Sequence, residues 1–237
     1  MRGWRIFFLA WLGWMGWGLA QASEEPDLRR APVNPGDYPS LQNGARIFAN
    51  YCLSCHGAKY VRYSKLEKIG IPENVIKENL LFARARVGDA MAVALPPKDG
   101  KRWFGVAPPD LSSEARGRGP DWLYTFLLSF YRDPERPTGW NNLIFPAVSM
   151  PHTLSSLQGV YTLEKNGEHE TLKQVKPGKL TPAEYEKTVG DLVNFLTWMA
   201  EPIKKERQTL GIYVLLFLGL FFIVAYGLKR VMWKDVH

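Results

Sequence analysis

Cys52, Cys55 and His56 stand in the order Cys52-Leu53-Ser54-Cys55-His56, and each member of that run has a chemical task. Two thiols three positions apart can add across the two vinyl groups of one porphyrin. The histidine directly after the second thiol is then carried under the iron as an axial ligand. These are the only two cysteines in 237 residues, which leaves none for a structural disulfide. Zinc would need two further Cys or His ligands nearby. The other histidines, His152, His169 and His237, lie singly and far along the chain. A redox dithiol would follow a strand, whereas the residues before Cys52 read as helix. The run therefore predicts one haem c bound covalently through Cys52 and Cys55, with His56 on the iron.

A haem held by one histidine keeps an open iron position, whereas a second protein ligand closes it and makes an electron carrier. Beyond the N-terminal apolar run, methionines stand at Met91, Met150, Met199 and Met232. Met232 follows the C-terminal apolar run, and Met199 continues a helical core stripe. Met150 lies in Phe145-Pro146-Ala147-Val148-Ser149-Met150-Pro151, a loop pinned by two prolines that can aim a thioether with little entropy left to lose. Met91 precedes Pro96-Pro97 in an apolar stretch. Met150 is the first candidate and Met91 the second. His152 is a rival ligand, or else a loop histidine at the rim.

The elements that must carry these residues read mostly as helix and long loop. A short helix over 39–49 leads into the cysteine motif, with Leu41, Gly44, Ala45 and Phe48 on one side. Further helices are predicted over 72–84 and from Pro120 to a point before Pro134, the latter carrying Trp122, Leu123, Phe126, Leu127 and Phe130 as its apolar residues. Thr181-Pro182-Ala183-Glu184 is a capping box with Pro at the first helical position. It opens a helix with the apolar stripe Val189, Leu192, Phe195, Leu196 and Met199. Residues 160–163 and 170–175 form the one hairpin candidate, joined through Asn166-Gly167.

Both ends of the chain are apolar. Arg2 and Arg5, the run Ile6–Leu19 and the small-x-small site Ala20-Gln21-Ala22 describe a secretory signal peptide over 1–22. Residues 209–228 carry no charge and span about 30 Å as a helix, the thickness of a bilayer core. Basic residues flank that run on both sides, so charge alone does not orient it. Export of 23–208 does: the run becomes a stop-transfer anchor and 229–237 a cytoplasmic tail. Gly211, Gly219 and Gly227 recur every eight residues, close to two turns, which suggests a stripe of small residues for helix contact. The formal charge is +7, with no basic run interleaved with aromatics, so nucleic acid is not an expected partner.

The order of signal peptide, C-x-x-C-H, Ala107-Pro108-Pro109-Asp110-Leu111-Ser112, Arg116-Gly117-Arg118, the Phe-Pro-x-x-x-Met-Pro loop and a lone C-terminal anchor resembles cytochrome c1. That family supplies the haem c subunit of the bacterial cytochrome bc1 (ubiquinol:cytochrome c oxidoreductase) complex. The resemblance implies an all-α, cytochrome c-like haem domain with long loops and a small β-hairpin, plus one C-terminal transmembrane helix. It places the haem between His56 and Met150 and matches Arg118 to an arginine that pairs with a haem propionate. Arg116 is an alternative for that pairing. Trp122 matches an aromatic position beside the haem, and Pro108 and Pro109 a segment along the haem edge. The stretch Gly100-Lys101-Arg102-Trp103-Phe104-Gly105 departs from the family pattern.

The implied role is electron transfer in the bacterial inner membrane with the haem domain in the periplasm. Electrons pass from a Rieske iron–sulfur protein to a soluble cytochrome c or similar carrier, beside a cytochrome b subunit in a dimeric complex. The chain is not expected to be catalytic by itself. Alternatives are a c-type cytochrome of another redox complex, or a haem-based ligand sensor with an open iron. Residues 23–208 hold only a slight basic excess and no acidic block. The acceptor is therefore expected to be neutral or acidic on its docking face, or to dock through apolar contact.

Overall fold

The computed structural model describes residues 27–82, 85–166 and 169–235. The expected signal peptide lies outside them. Helix α1 (Tyr38–Ile47) starts where Asp37 accepts the backbone N–H of Ser40 at 3.1 Å and Pro39 follows in the first turn. It then widens into a π turn over Phe48–Cys52, closed by the Leu53 N–H on the Phe48 carbonyl at 3.0 Å. Helix α2 (Glu73–Asn79) is shorter than the expected 72–84. Leu80 leaves the helical region at φ −122°, and the Leu81 N–H turns back onto the Ile76 carbonyl. Three short helices follow: α3 (Pro97–Phe104), α4 (Glu114–Gly117) and α5 (Pro120–Leu128).

The helix expected to continue toward Pro134 instead ends at Leu128. Phe130–Arg132 forms strand β3 and pairs antiparallel with β4 (Trp140–Asn142), Phe130 opposite Asn142. Another small antiparallel pair joins β1 (Ala58–Arg62) to β2 (Ala90–Met91). The expected hairpin is present and longer than drawn from sequence: β5 (Gly159–Asn166) against β6 (His169–Pro177). An all-α description therefore overstates the case. The described residues are largely helical, with three two-stranded antiparallel sheets.

Helix α6 (Ser155–Gln158) leads to the hairpin, and α7 (Pro182–Ala200) is the spine of the domain. Its capping box is closed in both directions. The Thr181 N–H donates to Glu184 Oε2 at 2.8 Å, and the Glu184 N–H returns to Thr181 Oγ1 at 3.4 Å. Leu192, Val193, Phe195 and Met199 are almost fully buried, and the helix packs against α1. The two helices can approach this closely because of Gly44: a Cβ there would stand 2.1 Å from the Asp191 carbonyl oxygen and 2.5 Å from Phe195 Cβ. Phe48 and Phe195 meet across the crossing at 5.7 Å between ring centroids. Each such buried side chain stabilises by about 1.5–3 kcal/mol relative to an exposed one.

Helix α8 (Lys204–Met232) contains the predicted apolar run and extends it at both ends. It is exposed all round and is the one helix among the described residues long and apolar enough to cross a membrane. Its three glycines meet nothing within 4 Å. At 3.6 residues per turn a step of eight rotates by about 80°. They spiral across the helix and form no single stripe.

Candidate haem-binding site

The π turn delivers Cys52 to the floor of a cavity, and a tight turn carries the rest of the motif past it. The N–H groups of Cys55 and His56 both close on the Cys52 carbonyl, at 3.0 and 2.8 Å. Wide π turns recur at functional sites because they reset the direction of the chain by one residue. Neither cysteine is paired in a disulfide. Burial, with a smaller contribution from Cys55, pushes the Cys52 thiol up to about 12. Among the described residues, no group of three His, Cys, Asp or Glu gathers to hold a metal ion.

His56 is set by one hydrogen bond. Its Nδ1 lies 2.8 Å from the Pro109 carbonyl oxygen, which can only accept. The proton therefore sits on Nδ1, and Nε2 keeps its lone pair. Burial holds the imidazole below its usual range, with the Pro109 bond and the charges of Glu114 and Asp110 acting against that. The Pro109 segment is itself fastened to the motif. The Leu111 N–H donates to the Gly57 carbonyl at 2.7 Å, and Asp110 accepts the Lys59 N–H at 2.9 Å. Pro108 and Pro109 thus lie along the cavity, as the sequence suggested, but the Pro109 carbonyl as the orienting acceptor was not foreseen.

The cavity has a volume of about 410 Å³. Cys52, His56, Trp122, Phe126, Met150 and Leu192 are among the side chains that line it. A smaller lobe of about 80 Å³ is lined by Cys55, Phe104, Val106 and Pro108, and again by His56 and Met150. Met150 therefore shares both spaces with His56. Met91 does not. It is 2% exposed in β2 and lines a separate crevice with Ala45, Phe48 and Leu66. Met199 is a core residue of α7.

His152 is not at the rim. It is 5% exposed, stacks on Phe130 at 4.8 Å with the rings nearly parallel, and donates from Nε2 to Gln158 Oε1 at 2.6 Å. Burial pushes it down to about 4. Its partner Gln158 donates onward to the Leu128 carbonyl. The ring is a packing element behind the cavity and does not line it.

The loop bearing Met150 is clamped by two buried asparagines that sequence reasoning missed. Asn141 Oδ1 accepts the Ala147 N–H at 2.9 Å, and Asn142 Oδ1 accepts the N–H groups of Ile144 and Phe145 at 3.1 and 3.2 Å. Asn142 Nδ2 reaches the Phe126 carbonyl at 2.8 Å. Ala147 is held at φ 62°, a left-handed conformation uncommon for a side-chain-bearing residue. The only sequence signal was the pair itself, at the start of the loop.

Charge is confined to one part of the lining. Arg118 Nε lies 3.2 Å from Glu114 Oε1, and both residues line the larger cavity. The guanidinium stacks over Trp122 at 4.4 Å and lies 5.5 Å from the Phe145 ring. Arg116 is exposed and does not line it. Apolar walls, one fixed cation, two thiols and a histidine lone pair match a flat apolar macrocycle with carboxylates along one edge and a metal at its centre.

The model of the Cytochrome C1 family matches residues 29–236. The chain is 48% identical to cytochrome c1 of Allochromatium vinosum over 219 residues, covering 89% of this chain and 90% of that one. It is 45% identical to a protein of Nitrosomonas europaea named ammonia monooxygenase gamma subunit, covering 91% and 92%. It is 31% identical to cytochrome c1 of Rhodospirillum rubrum, covering 84% and 83%.

Proposed function

The chain belongs to the cytochrome c1 family, and from that premise we propose the path that electrons take through it. It is a haem c protein and an electron-transfer subunit of the cytochrome bc1 complex, working beside cytochrome b and anchored in the membrane. The finer reading has electrons arriving from a Rieske iron–sulfur protein and leaving to a soluble carrier on the periplasmic side. Residues 1–22 are read as the signal that exports the domain 23–208, 209–228 as the anchor and 229–237 as a cytoplasmic tail.

The observation that carries this reading is the shared lining. His56 and Met150 line the same two spaces, Cys52 lines both as well, and Cys55 lines the smaller. Haem supplies one-electron chemistry when bound there. The chain's own residues do the rest. Cys52 and Cys55 would hold the ring, His56 Nε2 and the Met150 sulfur would be its iron ligands, and the Pro109 carbonyl fixes the imidazole. Two protein ligands would leave no open iron position for a substrate, which favours electron transfer over ligand binding. Arg118 offers a planar fork to a propionate, with Trp122 beneath it. Apolar walls exclude water and reduce the rearrangement that a change of charge would otherwise require.

Purification of the complex in mild detergent tests the assignment. Haem c should emerge together with b-type haem and an iron–sulfur protein. A haem c subunit that purifies with another set of redox partners would contradict it.

A further inference from the structure

The two ends of the methionine loop are fastened to the same pair of rings. At the start of the loop, Phe145 stands edge-on to Phe126, with 6.3 Å between ring centroids. Phe126 meets Phe130 at 5.0 Å. Phe130 stacks in turn on His152, two residues past Met150, at 4.8 Å. Phe126 and Phe145 line the larger cavity, whereas Phe130 and His152 do not. Helix α5 and strand β3 thus supply one aromatic row that holds the loop on both sides of its sulfur.

Stacking alone does not account for a histidine here. A phenylalanine would fill the same apolar space with no polar group to desolvate. What the imidazole adds is direction, because a hydrogen bond is oriented and apolar contact is not. Nε2 donates to Gln158 Oε1 at 2.6 Å, and Gln158 Nε2 donates to the Leu128 carbonyl at 3.1 Å. Gln158 ends α6 and Leu128 ends α5, so the chain of bonds runs from the loop to the last residues of two helices. Trp140 of β4 meets the ring edge-on at 5.1 Å. Stack, edge contact and hydrogen bond together leave the imidazole one orientation. Pro151 is the one residue between it and Met150, and its fixed φ carries that placement back to the methionine.

We propose that His152 is a positioning residue for Met150: its bond to Gln158, acting through Pro151, keeps the methionine in the lining that it shares with His56. This rests on the reading of Met150 as an iron ligand given above. It deepens that reading by naming what holds the ligand in place. Asn141 and Asn142 fasten the first half of the loop, and His152 fastens its end. Without that second anchor the loop gains conformers in which the sulfur leaves the cavity.

The test uses the haem-loaded full chain in the detergent-purified complex. His152→Ala should keep covalent haem and raise the fraction that binds carbon monoxide by on the order of tenfold over wild type, the effect of one lost buried hydrogen bond. The long-wavelength absorption band of a methionine-bound ferric haem should weaken, and the midpoint potential should fall. His152→Phe keeps the stack and loses the bond. It should show smaller shifts of the same sign, and it decides the matter where the alanine variant does not fold. Ile76→Ala is the control, since Ile76 is fully buried in α2 and lines neither cavity. It should lower the denaturation midpoint and leave band, gas binding and potential as in wild type. If the His152 variants behave like Ile76→Ala, the histidine is only a packing residue and the proposal is overturned. A His152→Phe protein indistinguishable from wild type would also overturn it, because the bond would then position nothing. A wild-type haem that itself binds carbon monoxide would instead strike the reading of Met150 as a ligand.

Discussion

The backbone N–H of Ala147 donates to the side-chain oxygen of Asn141 at 2.9 Å, three residues before Met150. The same oxygen accepts the Asn142 N–H, and Asn141 Nδ2 donates to Asp133 Oδ2 at 2.9 Å. One side chain therefore ties the methionine loop to β4 and to the turn before it. Asn141→Ala would leave two amides without their acceptor and should cost about 1–3 kcal/mol. Chemical denaturation of the haem domain measures that loss. The loosened loop should also let carbon monoxide reach part of the haem. An unchanged denaturation midpoint would mean that the prolines alone hold the loop.

Arg118 is the cation that lines the cavity, and it is braced by Glu114 and Trp122. A positive charge near the iron favours the reduced state. Arg118→Gln should lower the midpoint potential by about 30–60 mV, a three- to tenfold change for one electron. Arg118→Lys should restore charge without the planar fork and recover part of the shift. Arg116→Gln should leave the potential near wild type. Redox titration of the three variants decides between the two arginines.

Acid should loosen the fastening of the proline segment. Burial tends to raise the Asp110 carboxyl. Hydrogen bonds from the Ser112 side chain and from the N–H groups of Lys59 and Ser112 outweigh it, so the folded value lies below 3.8. A carboxyl depressed by folding contributes stability above its unfolded value and loses it as pH falls through the folded one. Thermal midpoints of the wild type should therefore fall below about pH 4 more steeply than those of Asp110→Asn. Parallel curves would show that Asp110 contributes nothing to acid sensitivity.

Truncation after Lys205 should yield a soluble haem domain. The buried core is built from elements before α8, and α8 itself buries nothing. Recovery of a monomeric, haem-loaded product by size exclusion would support this. Aggregated or haem-free protein would show that the anchor takes part in folding.

What could be read from the sequence divides along a physical line. Cys52, Cys55 and His56 could be read as a candidate haem site because that chemistry needs near neighbours in the chain. Helix α7 was legible because the Thr181–Glu184 box and a periodic apolar stripe are also local signals. Met150 could be ranked above Met91 because prolines stiffen its loop, and Met150 does line the cavity while Met91 does not. The failures are all long-range. Phe130 carries a helical periodicity, but pairing with Asn142 takes it into a strand. His152 looked like a rim residue because nothing local announces that Phe130 stacks on it or that Gln158 accepts its hydrogen bond. The hold of Asn141 and Asn142 on the loop likewise exists only once the chain has folded.

The central claim is an iron closed by His56 and Met150, and carbon monoxide addresses it directly. The reduced wild-type haem should keep its absorption spectrum when the gas is added. Met150→Leu should retain covalent haem, bind carbon monoxide and show a much lower midpoint potential, while Met91→Leu should behave as the wild type does. A wild-type spectrum that shifts with carbon monoxide, or a Met150→Leu protein that does not, would contradict the account.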